Sequence, residues 1–274
     1  MKHFTNFLKV LPILFSLCSV TIGRAQEEPE SSTSEVSELA QQAQNPVADL
    51  ISLPFQNNTS FGIGPDNRVQ NTLNIQPVYP IKLNENWNLI TRTIMPIITQ
   101  PDLSQSSGSS TGLGDISFTG FFSPSKPSKI IWGAGPAISI PTASRDIPGY
   151  ERWAIGPSVV ALTIRGPWVI GVLTNNIWSI GSSDTKPDVN FLLFQYFINY
   201  NLSNGLYLVS APIITNNWLV DKSLILPFGG GLGKLFKLGK LPINANIQAY
   251  YNAVTPDNGP TWSSRLQLQF MFPK

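Results

Sequence analysis

The chain is poor in the side chains that carry most protein chemistry. Its one cysteine and one histidine, Cys18 and His3, both fall within the first 25 of its 274 residues. That stretch reads as a signal peptide over residues 1–25: Lys2 and Lys9 flank a short polar start, residues 10–22 are largely apolar, and Gly23-Arg24-Ala25 supplies small residues at cleavage spacing. The apolar run is shorter than the roughly 20 residues a spanning helix needs. Leu17, just before Cys18, is too bulky for a lipid-attachment site. The exported chain then has no thiol nucleophile, histidine base, disulfide framework or zinc site. Its acids Asp66, Asp102, Asp146, Glu151, Asp184, Asp188, Asp221 and Asp257 sit in turn-like segments, where solvation is their ordinary role. Neither an enzyme nor a cofactor is expected.

Charge is also scarce, at 12% of residues, against roughly a quarter in soluble domains. Removing Lys2, Lys9 and Arg24 with the signal takes the 18 basic residues to 15 against 16 acidic ones, a net charge of −1. Nucleic acid, which requires a clustered basic surface, is excluded as a partner. Long apolar runs are missing as well. Beyond residue 25 nothing approaches about 18 consecutive apolar residues, which excludes a helical membrane protein. Yet the mean hydropathy is +0.03, as expected of strands that hide polar side chains on one face.

Such strands are present. Ile243, Ala245, Ile247, Ala249 and Tyr251 alternate with Asn244, Asn246, Gln248 and Tyr250; Leu266, Leu268, Phe270 and Phe272 alternate with Arg265, Gln267, Gln269 and Met271; and Leu73 and Ile75 alternate with Thr72, Asn74 and Gln76. A soluble barrel has the same period but carries Lys and Glu along its exterior. Here charges gather in the connections, and the exceptions Arg92, Lys234 and Arg265 must face a lumen or lie near an interface. All seven tryptophans, Trp87, Trp132, Trp153, Trp168, Trp178, Trp218 and Trp262, stand at the ends of alternating runs. An indole is most stable at headgroup depth, so they read as the interface girdles of a transmembrane barrel.

The fold class is therefore all-β: an antiparallel up-and-down transmembrane β-barrel of about twelve strands, beginning near residue 57 and running to 274. Links at 83–86, 123–129, 165–167, 202–205 and 238–240 are short, whereas those at 99–111, 142–151, 181–188 and 253–261 are longer. Only the first, around Pro65-Asp66-Asn67, is short out of turn. Alternating short and long links put both termini in the periplasm of a bacterial outer membrane.

Residues 26–56 precede the barrel. The Glu- and Ser-rich stretch 26–38 reads as a disordered leader, and 37–44 as a short helix stopped by Asn45-Pro46. This segment is expected to enter the lumen or rest at its periplasmic mouth. Gly229-Gly230-Gly231-Leu232-Gly233-Lys234 lacks the first glycine and the Ser or Thr of a phosphate loop. Gly229, Gly231 and Gly233, like Gly133 and Gly135, instead suit strand curvature or close approach by a lumen-filling segment. Asn58-Thr59-Ser60 is formally a glycosylation site, and strand entry is the plainer reading.

Several stretches together carry a resemblance: Asn45-Pro46-Val47-Ala48-Asp49-Leu50-Ile51-Ser52-Leu53-Pro54-Phe55-Gln56, Gly112-Leu113-Gly114-Asp115, Gly166-Pro167-Trp168-Val169, Pro212-Ile213-Ile214-Thr215-Asn216-Asn217-Trp218 and residues 227–240. In these the chain resembles the phenol meta-cleavage-pathway-associated outer-membrane transporters, some of which are mislabelled neuromedin U. The resemblance runs over 37–274. It implies an outer-membrane transport role and brings no catalytic motif.

The expected function is passive passage of small solutes, with aromatic or other apolar compounds as candidates, and the expected partners are outer-membrane lipid, the barrel assembly machinery and the solute itself. Lumen-side candidates are Asn74, Gln76, Arg92, Asn244, Asn246, Gln248, Arg265, Gln267 and Gln269. Mostly neutral amides imply weak ion selectivity. The alternative is a closed structural or surface-binding barrel acting through loops 99–111 and 142–151, its amides packed into a core. The last strand also carries an insertion signal, although Phe272 is followed by Pro273-Lys274 instead of ending the chain. Phe270→Asp should deplete the protein from outer membranes in fractionation; normal assembly would refute that role.

Overall fold

In a computed structural model, which describes residues 30–104, 107–126 and 128–272, the chain forms a closed antiparallel β-barrel. The stretch read as a signal peptide, with Cys18 and His3, and the first residues of the expected leader lie outside the described residues. Every strand pairs with its neighbours in sequence, and the last pairs with the first from Ile51↔Phe272 to Phe61↔Trp262.

Three of the twelve staves are interrupted, so the hydrogen-bonded segments outnumber the staves. In chain order they are β1 (Ile51–Ile63), β2 (Arg68–Ile75 with Val78–Lys82), β3 (Trp87–Pro101), β4 (Ser109–Leu113 with Ile116–Pro124), β5 (Ile131–Ile140), β6 (Ala154–Arg165), β7 (Trp168–Ser179), β8 (Asn190–Asn201), β9 (Leu206–Ser210 with Ile213–Asn217), β10 (Leu226–Leu238), β11 (Leu241–Val254) and β12 (Trp262–Phe272). The interruptions have local causes. Pro77 and Pro212 have no N–H to give to a ladder, and Gly114-Asp115 turns its polar groups to a loop. Short links gather at one end of the barrel and long ones at the other, except that the short β1–β2 link at 64–67 lies at the long-link end. β1 begins at Ile51, six residues before the expected boundary, because Ile51, Leu53 and Phe55 already alternate with Ser52, Pro54 and Gln56. Asn58 is accordingly mid-strand and faces inward.

The exterior is apolar. Ile97, Ile155, Val159, Ile170, Val172, Leu208, Leu232, Ile247 and Leu266 are all exposed, a belt far larger than soluble proteins tolerate. The tryptophans are exposed too, from 38% at Trp87 to 57% at Trp218. They form two rings: Trp87, Trp132 and Trp168 at the turn end, and Trp153, Trp178, Trp218 and Trp262 at the loop end. Trp87 and Trp132 meet edge to face at 5.9 Å, and Trp262 stacks on Phe61 at 3.9 Å. Lys234 points outward near the turn end, where a lysine can reach headgroups. An apolar belt of this kind is the surface of an outer-membrane barrel.

The N-terminal helix, α1, spans Glu30–Ala43 and starts well before the expected residue 37. Its composition reads as disordered, but Val36, Leu39, Ala40 and Ala43 fall on one helical face and pack against Leu50, Leu235 and Met271. Tertiary packing outweighs composition. Gln41 donates from Nε2 to the Gly166 carbonyl at 3.0 Å, and Gln44 exchanges hydrogen bonds with Asn201 at 2.8 and 3.1 Å. The helix therefore sits against the turn end.

Two glycines admit neighbours that a side chain would displace. A Cβ on Gly133 would lie 3.1 Å from Cγ1 of Val47, the residue that carries the N-terminal segment into the lumen. On Gly233 it would strike the Tyr207 ring, which crosses the glycine to donate its hydroxyl to Asn244 Oδ1 at 2.7 Å. Gly229, Gly231 and Gly135 instead face backbone of the adjacent strand, consistent with tight strand coiling. Gly233→Val should lower stability by about 1–3 kcal/mol through overpacking. In a Tyr207→Ala background the cost in urea unfolding should shrink; equal costs in both backgrounds would refute the contact.

Candidate lumenal site

Alternation across a closed sheet sends every second side chain inward, and the interior is not uniform. A cavity of about 470 Å³ lies inside it, within the roughly 300–1,000 Å³ of small-molecule sites. One arc of its wall, on β11, β12, β1, β2 and β3, is polar. The opposite arc, on β7, β8 and β9, is mainly apolar.

The polar arc is a connected network. Arg92 donates from Nη2 to Gln76 Oε1 at 2.5 Å; Gln76 Nε2 donates to Gln56 Oε1 at 3.1 Å; Gln56 Nε2 donates to Asn58 Oδ1 at 3.1 Å. Arg265 joins the same Asn58 oxygen through Nε at 3.0 Å and reaches the Ala211 carbonyl through Nη1 at 2.8 Å. Its guanidinium carbon lies 5.4 Å from the centre of the Tyr250 ring. The Tyr250 hydroxyl accepts from the Ala211 N–H at 3.0 Å and donates to Gln248, whose amide donates to Asn246 at 2.6 Å. Asn244 donates to Gln269 at 3.2 Å. Buried amides left unpaired would cost about 1–3 kcal/mol each, and here each finds its partner around the wall instead of across the lumen.

The structure places all nine lumen-side candidates on this cavity: Asn74 and Gln76 on β2, Arg92 on β3, Asn244, Asn246 and Gln248 on β11, and Arg265, Gln267 and Gln269 on β12. Missed from the sequence were Gln56 and Asn58 of the network, and the whole facing wall of Leu173, Ile177, Phe191, Leu193, Phe197, Val209 and Ile213. A signal existed. Phe191-Leu192-Leu193-Phe194 does not alternate, and in a membrane barrel a strand apolar on both faces must have an apolar inner face. Asn175, Gln195 and Asn199 interrupt that wall, with Gln195 donating to the Ala211 carbonyl at 3.2 Å.

At the turn end the lumen narrows around the N-terminal segment. Val47 belongs to a buried apolar cluster with Phe121, Val160, Leu162 and Val169 among its members, and residues 42–46 with Ala48 and Leu50 border the cavity. At the loop end residues 141–153 fold inward. The Asp115 carboxylate accepts from the N–H of Ala143 at 3.0 Å and of Tyr150 at 2.5 Å, and the Tyr150 ring lies 5.8 Å from Phe191. A Cβ on Gly149 would stand 2.9 Å from an Asp115 oxygen, so glycine lets the loop sit this close. Burial, reinforced by the Asp115 charge, pushes the Tyr150 hydroxyl above the usual tyrosine value, so it stays protonated. Arg152 pairs with Asp188 and so anchors the other side of the loop; Asp188 does more than solvate its turn.

No protein-family model matches the chain, and no curated protein matches it. Among solved structures the chain is similar to an outer membrane channel from Pseudomonas putida F1, with 16% identity, 81% of this chain and 93% of that one covered, and a TM-score of 0.61. It also aligns with outer membrane phospholipase A from Escherichia coli, at 13% identity, 88% and 98% coverage and a TM-score of 0.42, and with the CymD monoaromatic hydrocarbon channel, at 8% identity, 92% and 95% coverage and 0.44. The first likeness shows the fold, that of a bacterial outer-membrane barrel.

Asp115→Ala removes the acceptor that holds loop 141–153 inward. Trypsin should then cut after Arg145 several-fold faster in the folded, membrane-inserted protein. An unchanged cleavage rate would mean that Asp115 does not hold the loop.

Proposed function

We infer that this chain is an outer-membrane channel for passive passage of small solutes, aromatic or other apolar compounds among them, and that it performs no chemistry on them. One observation carries the reading: a closed, lipid-facing barrel keeps a cavity of ligand size inside it, bounded at the turn end by its own N-terminal segment. The resemblance to the phenol meta-cleavage-pathway-associated transporters supports the same role. Membrane lipid, the barrel assembly machinery and the solute are the partners this role requires.

A second reading has its own support in the buried apolar cluster to which Val47 belongs. On that reading the barrel is closed and acts through its loops. Deleting residues 26–50 separates the two. If the segment is a plug, the deletion should raise single-channel conductance in planar bilayers and speed liposome swelling with small sugars and phenols. Silence from both the full and the shortened protein, once shown to be folded and inserted, would overturn the channel reading.

A further inference from the structure

Two arginines share a cavity that contains almost no negative charge. Arg92 and Arg265 lie at the two ends of the Gln76–Gln56–Asn58 relay, and among the described lining residues the one carboxylate is Asp115. Its oxygens are turned to the N–H groups of Ala143 and Tyr150 at the loop end. The relay partners of the arginines are neutral amides, so their hydrogen bonds orient the guanidinium groups without cancelling their charge. Each guanidinium has five N–H donors. Those of Arg265 that are matched in the network point to Asn58 and to Ala211, which leaves donors for a guest.

Across the cavity stands a surface of another kind. Phe191, Leu193, Phe197 and Ile213 present apolar and aromatic area to the same space, and that area gains nothing from an inorganic ion or a sugar. A guest that satisfies both walls has an apolar, ring-sized body and a single anionic oxygen group. The expectation of weak ion selectivity rested on counting amides and gives way to this charge imbalance.

We propose that the lumen selects small monoanions with an apolar body, of the arenecarboxylate or phenolate kind, binding the anionic group at Arg265 and Arg92 and the ring against Phe191 and Leu193. The proposal deepens the channel reading and rests on it for its physiological meaning, but the binding step can be tested without transport. The probes share one ring and differ in charge: benzoate, benzyl alcohol and benzylammonium. Titration calorimetry of the full mature chain in detergent should show benzoate binding at least about tenfold tighter than either of the others, a difference of about 1.4 kcal/mol. Arg265→Gln, checked for folding by heat-modifiable gel mobility, should remove that preference. Leu193→Asn should weaken benzoate while leaving acetate unchanged, which separates the ring wall from the charge.

Equal affinity for the three probes overturns the proposal, as does binding of none of them, and as does a benzoate preference that survives Arg265→Gln and Arg92→Gln together. Bilayer recordings on the same preparation decide the channel reading separately. Open pores with no preference among the probes would leave the channel standing and this inference refuted.

Discussion

The pairing of β12 with β1 is the constraint from which the rest follows. In hydrocarbon no water satisfies a backbone N–H or C=O, so a sheet can cross only if it has no edge. The ladder from Ile51↔Phe272 to Phe61↔Trp262 removes the edge. Once the ring is closed, strand alternation fixes which residue of each pair meets lipid. Leu266 and Leu268 go out, and Arg265, Gln267 and Gln269 go in. The lumen is thus furnished with whatever the inward positions carry, and its two unlike walls are a consequence of closure.

That logic explains what the sequence disclosed. The lipid side must be apolar over a fixed height, so β11 and β12 could be read residue by residue. Link lengths gave the two ends because turn and loop ends differ systematically in such barrels. The inward face obeys no comparable rule. Lumenal positions may be amides or phenylalanines at no cost to the membrane, so the apolar wall on β8 is visible only as a loss of alternation at Phe191-Leu192-Leu193-Phe194.

Long-range contacts were harder still. Asp115 sits in a Gly-rich break that reads as a turn, and its role depends on backbone groups at Ala143 and Tyr150, some thirty residues away. The docking of α1 depends in the same way on Leu235 and Met271, at the far end of the chain. Composition predicts whether a segment can fold by itself. It is silent on whether a finished barrel offers a surface on which that segment can dock.

The two ends of the lumen also differ in what would open them. At the turn end the obstacle is apolar packing around Val47, joined to α1 by its contacts with Leu50 and Leu235; displacing it exposes buried hydrocarbon and must move a whole segment. At the loop end the obstacle is a loop held largely by polar contacts, the Asp115 carboxylate, the Ser144 hydroxyl and the Arg152–Asp188 pair among them, which water can replace at modest net cost. Local opening is cheapest where few apolar contacts are lost. On the proposed channel reading, exchange of solute with the cavity therefore begins at the loop end, and the N-terminal segment is what bars the other end.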